Sequence, residues 1–169
     1  MEAELEQGCA PAKAAPEKKY GVVAVCAGEG LAAVFADLGA DGIISGGQTM
    51  NPSTDDIMRE IDKTPAEIVF VLPNNGNIIM AAQQCAHLTE KEIIVIPSKT
   101  VPQGITAMMN ADFECGDPQE TAQAMTASLA TVSTAQITYA ARDSDFDGFA
   151  IHQEMCIRDS PWTPPRRSR

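Results

Sequence analysis

Gly21-Val22-Val23-Ala24-Val25-Cys26 is an almost wholly apolar run, and Ala27-Gly28-Glu29-Gly30 follows it without a break. Leu31, Val34, Phe35 and Leu38 then recur at helical spacing, and Gly39 ends the segment. A short valine-rich run of this kind reads as a strand buried on both faces. The glycine turn then leads into an amphipathic helix closed by a glycine. Strand, turn and helix in that order are the first half of a βαβ unit.

Working outward, the same rhythm repeats. Residues 41–45, centred on Ile43-Ile44, residues 68–72 and residues 93–96 read as further apolar strands. Ser53 or Thr54 can cap a helix running to about Lys63, with Asp55 and Asp56 suited to its positive amino end. Asn77 can cap a helix to about residue 88, and a short helix near 105–110 and a longer one over 118–130 follow. Ile137-Thr138-Tyr139-Ala140 and Phe149-Ala150-Ile151 read as two strands joined by a polar hairpin around Asp147-Gly148. Alternating strands and helices imply right-handed crossovers, so the expected class is α/β, a mostly parallel sheet with helices on both faces and a carboxyl-terminal hairpin.

The expected domain plan is a linker over 1–19, the α/β domain over 20–153 and a tail over 154–169. The tail switches to basic, proline-rich text with the only tryptophan, Trp162, and reads as disordered and foreign to the domain. The formal net charge is −11, with 17 acidic against five basic side chains in residues 20–153. So acidic a domain repels a phosphate backbone and argues against nucleic-acid binding. No apolar run approaches the roughly 20 residues of a membrane span. The five cysteines, Cys9, Cys26, Cys85, Cys115 and Cys156, form no paired motif, which points to reduced thiols and a cytoplasmic protein.

Four polar turns each follow an apolar run: Ala27-Gly28-Glu29-Gly30, Gly46-Gly47-Gln48-Thr49-Met50-Asn51-Pro52, Pro73-Asn74-Asn75-Gly76-Asn77 and Ser98-Lys99-Thr100-Val101-Pro102-Gln103-Gly104. In a parallel sheet such turns collect at the carboxyl edge, where open α/β folds hold their ligands. The candidate ligand- or partner-binding residues are therefore Gly28, Gly30, Gly47, Gln48, Thr49, Asn51, Asn74, Asn75, Asn77, Lys99, Thr100 and Gln103. Lys99 is the one cation among them, suited to an anion. The turn at Gly28 and Gly30 lacks the third glycine of a dinucleotide fingerprint, Ala33 standing there, so a tight turn and a ligand-facing loop both stay open. Asparagine also tolerates left-handed turns, which gives Asn74 and Asn75 a purely structural alternative.

No nucleophile–base pair is evident. His87 and His152 have no carboxylate at helical spacing, so no catalytic residue is assigned. Asp143, Asp145, Asp147, Gly148 and Glu154 match the spacing of a twelve-residue calcium loop. The stretch lies in strand text rather than between helices, and a polar hairpin turn is preferred to a metal site.

The set Gly46–Thr54, Leu72–Asn77, Lys99–Gly104 and Ile137–Asp143 resembles the carboxyl-terminal domain of the FakA component of bacterial fatty acid kinase, a DAK2-domain fusion family related to dihydroxyacetone kinases. The resemblance covers residues 20–153. It implies an α/β fold akin to dihydroxyacetone kinase substrate subunits and DegV-type lipid binders. It implies also a noncatalytic role, engaging a separate acyl-binding, DegV-type protein while fatty acids are phosphorylated for phospholipid synthesis. ATP and magnesium would belong to a kinase domain outside this chain, so none is expected as a cofactor here. The chain would be a fragment, inactive alone, whose other partners are its own kinase and middle domains and a second copy in a homodimer. The alternative is a stand-alone small-molecule binding or phosphotransfer domain.

Overall fold

The computed structural model describes residues 15–46, 51–114, 116–139, 143–146, 149–151 and 156–159. Four parallel strands form the central sheet: β1 (Lys18–Cys26), β2 (Gly42–Ser45), β3 (Ala66–Leu72) and β4 (Glu92–Val95), in the order β2-β1-β3-β4. Between and after them run α1 (Glu29–Asp37), α2 (Thr54–Lys63), α3 (Gly76–Cys85), α4 (Val101–Met109) and α5 (Pro118–Leu129). Register is set by pairs such as Val22 with Phe70 and Phe70 with Ile94.

Side-chain alternation along β1 and β3 sorts the core into two layers. Val22, Ala24, Cys26, Phe70 and Leu72 pack with Phe35 of α1, Ala107 and Met108 of α4, and Met125 of α5. Val23, Val25, Val69 and Val71 pack with Ile57 and Ile61 of α2 and Ile78, Ala82 and Cys85 of α3. Both faces of the sheet are therefore covered, which is why its central strands carry apolar residues at successive positions. This is the three-layer α/β class expected.

Two helix bounds differ from the sequence expectation. α4 begins at Val101 rather than near residue 105, because Pro102 falls in the first turn, where its fixed φ and missing N–H cost nothing. α3 ends at Cys85, and turns rather than helix carry the chain through Leu88.

A second compact unit spans 132–169. It contains β5 (Gln136–Tyr139), β6 (Ser144–Phe146), β7 (Phe149–Ile151) and β8 (Cys156–Asp159). The expected pairing of β5 with β7 is not what forms. β6 pairs with β7, and β5 pairs antiparallel with β8, from Gln136 opposite Asp159 to Tyr139 opposite Cys156. Ser144-Asp145-Phe146 reads as turn text because of its acid, yet a three-residue strand forms on the near side of residues 147 and 148. β8 lies in the stretch expected to be disordered from residue 154; its backbone pairing with β5 does not depend on the change in composition that set that expectation.

Candidate functional site

The strand order creates one distinctive place on the sheet. From β1 the chain passes through α1 to β2 on one side, then returns through α2 to place β3 on the other. The carboxyl ends of β1 and β3 thus face a crevice at the reversal of strand order, the position where open α/β sheets hold ligands. Cys26 and Leu72 end the two strands there, so the turns that follow them border it.

Gly28 supplies the first of those turns. Its φ of 88° lies in the left-handed region, which glycine enters without a Cβ clash. It stands at the amino end of α1, which has no side-chain cap, and nothing lies within 4 Å of where a Cβ on Gly28 or Gly30 would be. Exposed N–H groups and a positive helix end are thus open to approach at this turn.

The second turn behaves differently. Asn74, with φ of 53°, is buried. Its Nδ2 donates to Val25 O at 2.9 Å, its N–H donates to Ser98 Oγ at 3.1 Å, and the Ser98 hydroxyl donates to Asn74 Oδ1 at 2.8 Å. One side chain therefore ties the ends of β1 and β3 to the segment after β4. Asn75 accepts the Asn77 N–H at 3.0 Å and caps α3, leaving Asn77 exposed. Of these three amides, Asn74 and Asn75 hold structure and Asn77 faces solvent.

After β4, Ser98 is fully buried and Lys99 is exposed. The Lys99 N–H donates to Gln103 Oε1 at 2.9 Å, and Gln103 Nε2 donates to Leu129 O at 3.3 Å. Thr100 precedes α4 without capping it, and its Oγ1 is buried with no partner among the described residues. Gly47, Gln48 and Thr49 lie outside the described residues, whereas Asn51 is exposed beside the capped start of α2. There Ser53 and Asp56 form a reciprocal box. The Ser53 N–H and hydroxyl both donate to the Asp56 carboxyl, and these bonds hold it below its ordinary pKa range.

The site residues thus divide. Gly28, Gly30, Asn51, Asn77 and Lys99 present open surface, and Asn74, Asn75 and Gln103 are engaged within the fold. Ser98 is the functional neighbour that sequence reasoning did not single out. Its only signal is position, two residues past Ile96, and nothing in the local pattern marks a hydroxyl there as buried.

Among the described residues, nothing at this edge assembles a nucleophile with a base. Cys26 and Cys85 are buried, and burial pushes both thiols up, which leaves them protonated and poor nucleophiles at neutral pH. Among the described residues no three His, Cys, Asp or Glu side chains converge as a metal site. Asp147, Gly148 and Glu154 of the calcium-loop pattern lie outside the described residues. A separate cleft of about 440 Å³, lined by Lys18, Tyr20, Asp41 and Phe113 among others, opens at the amino end of β1.

A sheet with this edge is common to many proteins, and likeness to known sequences narrows the choice. The model of the FakA-like C-terminal family, named for a component of fatty acid kinase, matches residues 21–158. The chain belongs to that family. Protein YloV of Bacillus subtilis (strain 168) is 43% identical over 136 residues, covering 78% of this chain and 24% of YloV. An uncharacterized protein of Staphylococcus saprophyticus is 44% identical over 133 residues, covering 79% of this chain and 24% of that protein. One from Staphylococcus aureus (strain USA300) is 41% identical over the same length and shares. The chain spans about a quarter of the length of these curated relatives, at 24% of each. No helix among the described residues is long and apolar enough to cross a membrane.

Proposed function

We propose that this chain is the noncatalytic, carboxyl-terminal module of a fatty acid kinase-like protein and that its carboxyl-edge turns dock a separate acyl-binding protein. The observation that carries the reading is the division of labour at that edge. Asn74, Asn75 and Gln103 brace it internally, while Gly28, Asn51, Asn77 and Lys99 are left outward. A braced rim of amides, backbone donors and one ammonium suits recognition of a polar protein surface. Among its described residues it lacks the paired nucleophile and base that group transfer requires. ATP and magnesium belong, in this reading, to the kinase domain of the larger protein. The module contributes to lipid metabolism by bringing the acyl-bearing partner to that domain.

The test is calorimetric titration of the 169-residue chain with the fatty-acid-loaded acyl-binding protein. Saturable binding that weakens when Asn51, Asn77 and Lys99 are changed together to alanine is the expected result. Absence of binding by a demonstrably folded chain overturns the reading. Turnover of ATP by the chain alone would instead favour a stand-alone phosphotransfer domain.

A further inference from the structure

Lys99 stands out among the outward residues because its main chain is held from both sides while its side chain is not. On one side, Ser98 is 0% exposed and its hydroxyl is locked to Asn74 by two hydrogen bonds, of 3.1 and 2.8 Å. Asn74 in turn reaches across to Val25 O on the central strand. On the other side, the Lys99 N–H donates to Gln103 Oε1 at 2.9 Å, and Gln103 is itself anchored to Leu129 O near the end of α5. The ammonium is exposed and has no partner among the described residues.

We propose that Ser98 and Gln103 are positioning residues that hold Lys99 ready for a carboxylate side chain on the docked protein; this rests on the docking reading above. Ordering a surface segment on binding costs conformational entropy, and a segment already ordered by the fold avoids that cost. The arrangement suits a cation used for recognition. An ammonium is a compact point charge with three donors, and a carboxylate is its complement at a protein surface. The main-chain anchors fix where the charge starts, and the flexible stem covers the remaining distance. Removing Gln103 would therefore weaken docking through Lys99 and not through any contact of its own.

The experiment is a double-mutant cycle by calorimetry on the full 169-residue chain with the fatty-acid-loaded acyl-binding protein. Lys99→Ala should weaken binding about tenfold, and Gln103→Ala by several-fold. The double variant should be no weaker than Lys99→Ala alone, because the anchor acts through the ammonium. Amide hydrogen exchange on the free chain supplies the second readout. Gln103→Ala should speed exchange at Lys99, and Ser98→Ala at Asn74, each about tenfold, with the Val22–Val25 amides unchanged. Additive losses of affinity overturn the positioning role, as does exchange that rises uniformly over the sheet. Unchanged affinity in Lys99→Ala overturns the carboxylate contact while leaving docking intact. Failure of the unaltered chain to bind overturns the docking reading itself.

Discussion

Asn74 occupies the space that Gly104 leaves empty. A Cβ placed on Gly104 would stand 2.7 Å from Asn74 Cγ and 2.8 Å from Asn74 Nδ2, closer than real Cβ contacts come. The glycine is in the first half of α4 and the asparagine follows β3, so the pair joins a helix start to a strand end. Glycine inside a helix is unfavourable by about 1 kcal/mol relative to alanine. Here its absence of a side chain admits the amide that binds Val25 O and Ser98.

The first prediction follows from that interlock. Gly104→Ala should destabilise the chain by about 1–3 kcal/mol in urea unfolding, through overpacking against the buried amide. Asn74→Gly keeps a residue that accepts the left-handed backbone but leaves Ser98 and Val25 O unpaired, and should also destabilise. In the Asn74→Gly background, Gly104→Ala should become neutral or stabilising by up to about 1 kcal/mol, since the clash is gone and helix propensity remains. Equal losses in both backgrounds would show that the two residues do not compete for space.

Lys91 closes the far end of α2. Its Nζ donates to Ile61 O at 2.9 Å, Asp62 O at 3.1 Å and Thr64 O at 2.6 Å, carbonyls at or just past the helix carboxyl end. A cation there satisfies acceptors the helix cannot and opposes the negative end of its dipole. Lys91→Met, which keeps the stem and removes the charge, should cost about 1–2 kcal/mol by chemical denaturation. A midpoint equal to that of the unaltered chain would reduce the three contacts to surface decoration.

The start of the same helix predicts a pH effect. Hydrogen bonds from the Ser53 hydroxyl and N–H hold the Asp56 carboxyl below its ordinary pKa. A carboxyl depressed in the folded state contributes stability that is present above its unfolded pKa of about 3.9. That contribution is lost as pH falls through the lower, folded value. Ser53→Ala should return the Asp56 titration, followed by carboxyl carbon NMR, toward the ordinary range. It should also shrink the part of acid destabilisation that sets in below about pH 4. An unchanged Asp56 titration in Ser53→Ala would rule out the capping box as the cause.

How much of this was legible differs from place to place, for physical reasons. The strands around Val22–Cys26 and Ile68–Leu72 announce themselves because burial on both faces demands apolar residues at successive positions. The capped start of α2 is equally plain from Ser53, Asp55 and Asp56. The start of α4 is hidden, because Pro102 and Gly104 are loop signals unless one knows that proline sits in a first turn and that Asn74 needs the glycine. The direction of Asn74 is hidden too, since a left-handed asparagine serves a solvent turn and a buried pin alike. The pairing of β5 with β8 rests on contacts between residues about 20 apart, which no local pattern reports. At the candidate edge the turns were visible as a set, and their division into bracing and outward residues was not.

The cysteines give the last prediction. Cys26 is 3% exposed at the end of β1, and Cys85 is 0% exposed at the end of α3, where its Sγ lies 3.3 Å from Ala81 O. Burial pushes both thiols above their ordinary range, so at neutral pH neither offers the thiolate that attacks a disulfide reagent. Access and ionisation then act in the same direction, and opening of the core has to precede reaction. In the native chain, modification of Cys26 and Cys85 by a thiol-specific reagent, mapped by mass spectrometry, should proceed no faster than unfolding and should stay slow as pH rises from about 7 to about 8. Both should react within the mixing time in denaturant. Rapid native labelling of Cys26 would show that the switch-point end of β1 opens locally, and would make that edge, rather than the sheet beneath it, the least stable part of the domain.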